Sequence, residues 1–171
     1  MKKKKISASV SEVVNNPNSI LVDKKNIEEK LTNNDWSTME NYFNELSQMI
    51  ANISLSFNEI IKVATYNLQS YMTEEEIKQI EILSKGFASD VNNIITDLVK
   101  VHKSHKKFSG KPSDDSEEFF FLISTMESYM SIYDKTMAIL PITVANATEI
   151  VGDAQSRLEK SLEASKGEVN V

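Results

Sequence analysis

Starting at Trp36 and stepping three and four residues in turn, the chain reads Met39, Phe43, Leu46, Ile50, Ile53, Phe57, Ile60 and Ala64 without meeting a charge. Apolar residues at that spacing form a heptad seam along one side of a helix, and the same line continues to Asn67 and Tyr71. A stripe of about ten helical turns has to be covered by other helices. Four glycines and three prolines in 171 residues leave too few turn signals for an all-β or α/β fold. The expected class is all-α, an antiparallel bundle of three long helices preceded by a short N-terminal helix.

The helix boundaries are marked by capping residues. Asn33, Asn34 and Asp35 offer N-cap oxygens to a first helix over residues 36–70. Thr73 and Glu76 have capping-box spacing, with Met72 and Ile77 at the flanking hydrophobic-staple positions, so a second helix starts there. Its seam is Ile77, Ile80, Ser84, Phe87, Val91, Ile94, Leu98, Val101 and His105. A link of about three residues between the first two helices sets them antiparallel.

A third helix is expected over residues 116–165. Its seam runs Phe119, Leu122, Met126, Tyr129, Tyr133, Met137, Leu140, Val144, Ala147, Val151, Ala154 and Leu158. The step from Tyr133 to Met137 is an extra four, a stutter that unwinds a left-handed supercoil locally. Pro141 follows. Its missing N–H and its ring predict a kink there, and the absence of a Gly, Asn or Asp cluster argues against a reversal into a fourth helix. Such a helix spans about 75 Å against about 50 Å for each of the others, so the third is expected to overhang. Val151, Ala154, Leu158 and Leu162 on that overhang then form an apolar side without an intrachain partner, read as a partner interface. Arg157 falls on the solvent side of this reading. At the other end, the run from Phe119 to Ile123 covers a whole helical turn, and the short amphipathic helix over residues 20–31 is expected to act as its lid.

These boundaries divide the chain into an N-terminal arm (1–17), one helical domain (18–165) and a C-terminal tail (166–171). The basic start, Lys2 to Lys5, is followed by Ile6, Ala8 and Val10 interrupted by serines, which fails as a signal peptide. No run of about 18 apolar residues is present to span a bilayer. The expected location is cytoplasmic or intracellular, a viral particle included. With no cysteine there is no disulfide and no thiolate ligand or nucleophile.

Two clusters carry chemistry. Lys2, Lys3, Lys4 and Lys5 and the stretch 100–111, with Lys103, Lys106 and Lys107, are candidate polyanion contacts. Against that, the net charge is −6, no arginine lies beside the lysines, and Asp114, Asp115, Glu117 and Glu118 follow directly. Lysines at one helix end and carboxylates at the start of the next are also what helix dipoles favour. His102 and His105, the only histidines, share one helical face. A zinc site needs three or four ligands, and no carboxylate stands at a recognisable spacing from them, so no metal or cofactor is expected. No catalytic triad, phosphate loop or HExxH motif is present, so the chain is not expected to be an enzyme.

Three long helices with a kinked third resemble, in architecture alone, spectrin-like bundles and membrane-curving helical dimers. The negative charge runs against the membrane-curving version. The function expected is a structural or assembly protein that self-associates or joins a larger complex, such as a viral particle or secretion machine, through helical surfaces. The alternative is a nucleic-acid-associated accessory protein that uses the two lysine clusters.

Overall fold

The computed structural model describes residues 36–108 and 115–168, and each of them is helical except Met72 and Thr73. Helix α1 is Trp36–Lys62, continued by a π-helical turn, Val63–Leu68, and a 3₁₀ turn, Gln69–Tyr71. Helix α2 is Glu74–Phe108 and helix α3 is Asp115–Glu168. There is no strand among the described residues. The all-α class is as the sequence led us to expect. The N-terminal arm with Lys2, Lys3, Lys4 and Lys5, the expected lid over residues 20–31, the caps before Trp36 and the chain beyond residue 168 lie outside the described residues.

The α1 stripe forms the spine of the core. Met39, Leu46, Ile50, Ile53, Phe57, Ile60 and Ala64 are all buried. Tyr42 is buried as well, while Phe43 is half-buried beside it. The two rings look in different directions: Tyr42 meets Tyr129 of α3, with centroids 6.5 Å apart, and Phe43 stacks on His102 of α2. α1 therefore buries two adjoining lines rather than one. Past Ala64 the inward position passes to Leu68, and Asn67 is exposed. The π-helical turn is the cause, because its wider i→i+5 winding delays the return to the core by one residue.

On α2 the inward positions are Ile80, Phe87, Ile94, Leu98 and His105, with Ile77, Ser84, Val91 and Val101 half-buried between them. On α3 Leu122, Tyr129, Leu140, Val144, Ala147, Val151 and Ala154 are buried. Around the stutter, Thr125, Ile132 and Thr136 face the core, and Met126, Tyr133 and Met137 stand half-buried. The Thr136 hydroxyl is satisfied inside its own helix, donating to the Ile132 carbonyl at 2.7 Å. α3 continues through Pro141, itself buried, with no reversal after it.

Contacts between helices fix their register. Phe43 meets His102 and Phe57 meets Phe87, so positions on α2 fall as those on α1 rise. Asp97 accepts from Lys135 at 2.9 Å and Glu76 pairs with Arg157, which orders α2 and α3 in the same opposed sense. α1 and α3 advance together from Tyr42 and Tyr129 to Tyr71 and Arg157. This register shortens the overhang: among the described residues only the stretch after Arg157, about 11 residues or ~16 Å, passes the turn between α1 and α2. Val151 and Ala154 are consequently covered by their own chain. Leu158 is half-buried against the same core, and Leu162 alone of the four stands out, 52% exposed.

The turn itself is held from α3. The Glu76 N–H donates to Thr73 Oγ1 at 3.2 Å and the Thr73 N–H donates to Glu76 Oε2 at 2.7 Å, the reciprocal capping box that the spacing predicts. Arg157, the chain's single arginine and not a solvent-side residue, adds two bonds. Its Nε donates to the Tyr71 carbonyl at 2.7 Å, at the end of the 3₁₀ turn, and its Nη2 donates to Glu76 Oε2. The fork thus ties a helix C-terminus and a helix N-terminus together. The hydrogen bond from Arg157 holds the Glu76 carboxyl below its ordinary value of 4.5. The stability that Glu76 contributes is therefore complete above pH 4.5 and is lost as the pH falls through its lower folded value. Arg157→Met should lower the thermal midpoint at neutral pH, and the gap to the parent should narrow as the pH falls through that lower value, leaving the part due to the Tyr71 carbonyl. A gap unchanged by acid would mean that Arg157 acts through the Tyr71 carbonyl and packing, not through the Glu76 charge.

Candidate functional site

Near the opposite end of the molecule, three potential ligands converge from two helices. His102 and His105 lie on one face of α2 because residues three apart are helical neighbours. Glu40 reaches them from the second turn of α1. One ligand atom from each of the three lies within 4.8 Å of the others. Glu40 divides its oxygens: Oε2 is 3.9 Å from His102 Nδ1, and Oε1 is 3.4 Å from Lys106 Nζ. Phe43, one helical turn after Glu40, stacks on the His102 ring with centroids 3.7 Å apart and planes at 18°. That contact fixes the imidazole plane. The two histidine rings meet edge to face at 6.1 Å.

Burial grades across the group. His105 is buried, whereas His102 and Glu40 are half-buried, so the cluster opens to solvent on one side. Burial pushes the His105 imidazole below its ordinary value, helped by His102 and opposed by Glu40, which favours the neutral ring at physiological pH. Tyr129, with no exposed surface, stands behind the site. Burial raises its phenol well above the ordinary value, and the Glu40 charge adds to the effect. Its hydroxyl is buried and has no hydrogen-bond partner among the described residues. Tyr42 has the same standing: burial pushes it up to about 12, Glu45 contributes, and its hydroxyl is unpaired.

The lysines expected to meet a polyanion are dispersed in function. Lys106 pairs with Glu40, and Lys100 lies 3.5 Å from Asp97. Lys103 and Lys107 are exposed, and Lys111 lies outside the described residues. The sequence reading that left the two histidines without a third ligand missed Glu40. No spacing signal could have found it, since the carboxylate comes from another helix.

Among the described residues, grooves run between α1 and α2 and between α2 and α3. One, of about 380 Å³, lies between α1 and α2, floored by Phe57 and Phe87 and walled by Ile61, Ala88, Val91 and Ile95. Its only polar lining comes from Ser54, Asn58, Ser84 and Asn92, with no charge. The other, between α2 and α3, carries Ile82, Leu83 and Ile150 together with Glu76, Glu149 and Asp153. No helix among the described residues is long and apolar enough to cross a membrane.

No protein-family model matches the chain. Neither a curated protein nor a solved structure matches it. Function therefore has to be read from these surfaces.

Proposed function

We propose that the chain is a non-enzymatic assembly protein: an antiparallel three-helix bundle, its third helix bent at Pro141, that pairs with a second copy through the groove between α1 and α2. The observation that carries this reading is the uncharged lining of that groove. On its wall Ile95 is 43% exposed, and Leu55, three residues before Asn58 on the neighbouring stripe of α1, is 63% exposed. An apolar groove without charge can face a copy of itself across a two-fold axis, burying the same side chains from both partners. The acid-lined groove between α2 and α3 would repel its own copy. Covering an Ile or Leu contributes about 1.5–3 kcal/mol before the cost of association is subtracted. Leu162 on the short overhang extends the apolar surface but is a single residue.

The experiment is light scattering on variants. Ile95→Asp with Leu55→Asp should move the protein from dimer to monomer with unchanged helical circular dichroism, since both side chains are already exposed. Leu162→Asp should leave the mass unchanged. The opposite pattern would place the contact on the overhang and overturn the groove. Loss of nucleic-acid binding on replacing Lys103 and Lys107, if the parent binds at physiological salt, would favour the accessory-protein alternative.

A further inference from the structure

We propose that Glu40, His102 and His105 form a binding site for one divalent transition-metal ion of zinc type, which clamps the start of α1 to the end of α2. The inference goes beyond the assembly reading and does not depend on it. Two imidazoles and one carboxylate are a donor set that suits zinc and its neighbours, in place of the all-oxygen sets of magnesium and calcium. The ligand atoms already lie within 4.8 Å of one another. A tetrahedral ion with bonds of about 2.0–2.1 Å separates its ligands by roughly 3.3 Å, so the site must close by about 1.5 Å at most. Glu40 is the more exposed of the ligands and reaches in from the open side, so rotation of its carboxylate can supply that movement while Phe43 holds the His102 ring.

The surroundings are those of a held ligand set. Phe43 orients the His102 ring by stacking, at 3.7 Å. Lys106 approaches Glu40 through Oε1, which leaves Oε2, the oxygen nearer His102, to act as a monodentate ligand. Behind them the Tyr129 hydroxyl is fully buried and unpaired among the described residues. Three protein ligands leave one position of a tetrahedron open, on the solvent side. Because His102 and His105 come from α2 and Glu40 from α1, a bound ion joins the two helices at the end opposite Arg157. Metal held only by the folded chain must also stabilise it.

The test uses the full chain without an affinity tag, dialysed against chelator and titrated at neutral pH with Co²⁺ and then Zn²⁺. The expected result is one equivalent of Co²⁺ bound with saturable visible ligand-field absorbance, bleached by Zn²⁺, and a thermal midpoint that rises with Zn²⁺. Glu40→Gln and His102→Gln should each weaken binding by at least the roughly 10–100-fold that losing an outer-shell partner costs. Both side chains are half-buried, so the variants should fold, which circular dichroism checks. Glu149→Gln, in the acidic groove, should leave the affinity unchanged. No absorbance at Co²⁺ well above the protein concentration would overturn the proposal. So would a parent-like affinity in both Glu40→Gln and His102→Gln.

Discussion

Phe87→Ala should destabilise the fold by about 3–5 kcal/mol in urea denaturation. Phe87 is 5% exposed, and its ring stacks on Phe57 with centroids 4.0 Å apart and planes at 16°. The pair cross-links the middles of α1 and α2, and both rings line the groove between them. Truncation removes the ring's transfer free energy and leaves Phe57 without its stacking partner. The groove opens to solvent, so water can enter part of the space, which places the value towards the lower end of the range. A loss below about 1 kcal/mol would mean that α1 and α2 are held apart from this pair.

Pro141→Ala should act in the opposite direction, raising stability by about 1–2 kcal/mol. A proline inside a helix costs about 3 kcal/mol relative to alanine, because it lacks an N–H and its ring crowds the carbonyl four residues back. Here that carbonyl belongs to Met137, next to the stutter. Alanine restores the donor. The gain is reduced because Pro141 is buried and its ring contacts are lost. Denaturation of the two proteins side by side decides the sign. A net loss would show that α3 needs Pro141 to lie against both other helices.

The sequence made the helices legible and their mutual placement much less so. Met39 to Ala64 could be read directly because period and burial coincide over seven turns, and Thr73 and Glu76 announced α2 through a local hydrogen-bond pattern. Tyr42 was missed because a single heptad line cannot represent a helix that faces two neighbours. Asn67 was placed inward because the π-helical turn that brings Leu68 in has no signature in the residue pattern. Val151 and Ala154 were assigned to a partner because periodicity shows which side is apolar but not how far along α1 the third helix begins. The register at Tyr42 and Tyr129 decides that, and it depends on packing between residues far apart in the chain. The same holds for the site. His102 and His105 share a visible helical spacing, whereas Glu40 joins them only when α1 and α2 pair. Arg157 offered one overlooked signal: it is the only guanidinium in the chain, the group best suited to hold a carbonyl and a carboxylate at once.

Light scattering on the untagged parent, over a wide range of protein concentration and at low and high salt, tests the assembly reading most directly. The expected result is a mass that rises with concentration to about twice 19.3 kDa and does not fall at high salt, because the contact is apolar. A mass of 19.3 kDa at every concentration would contradict it.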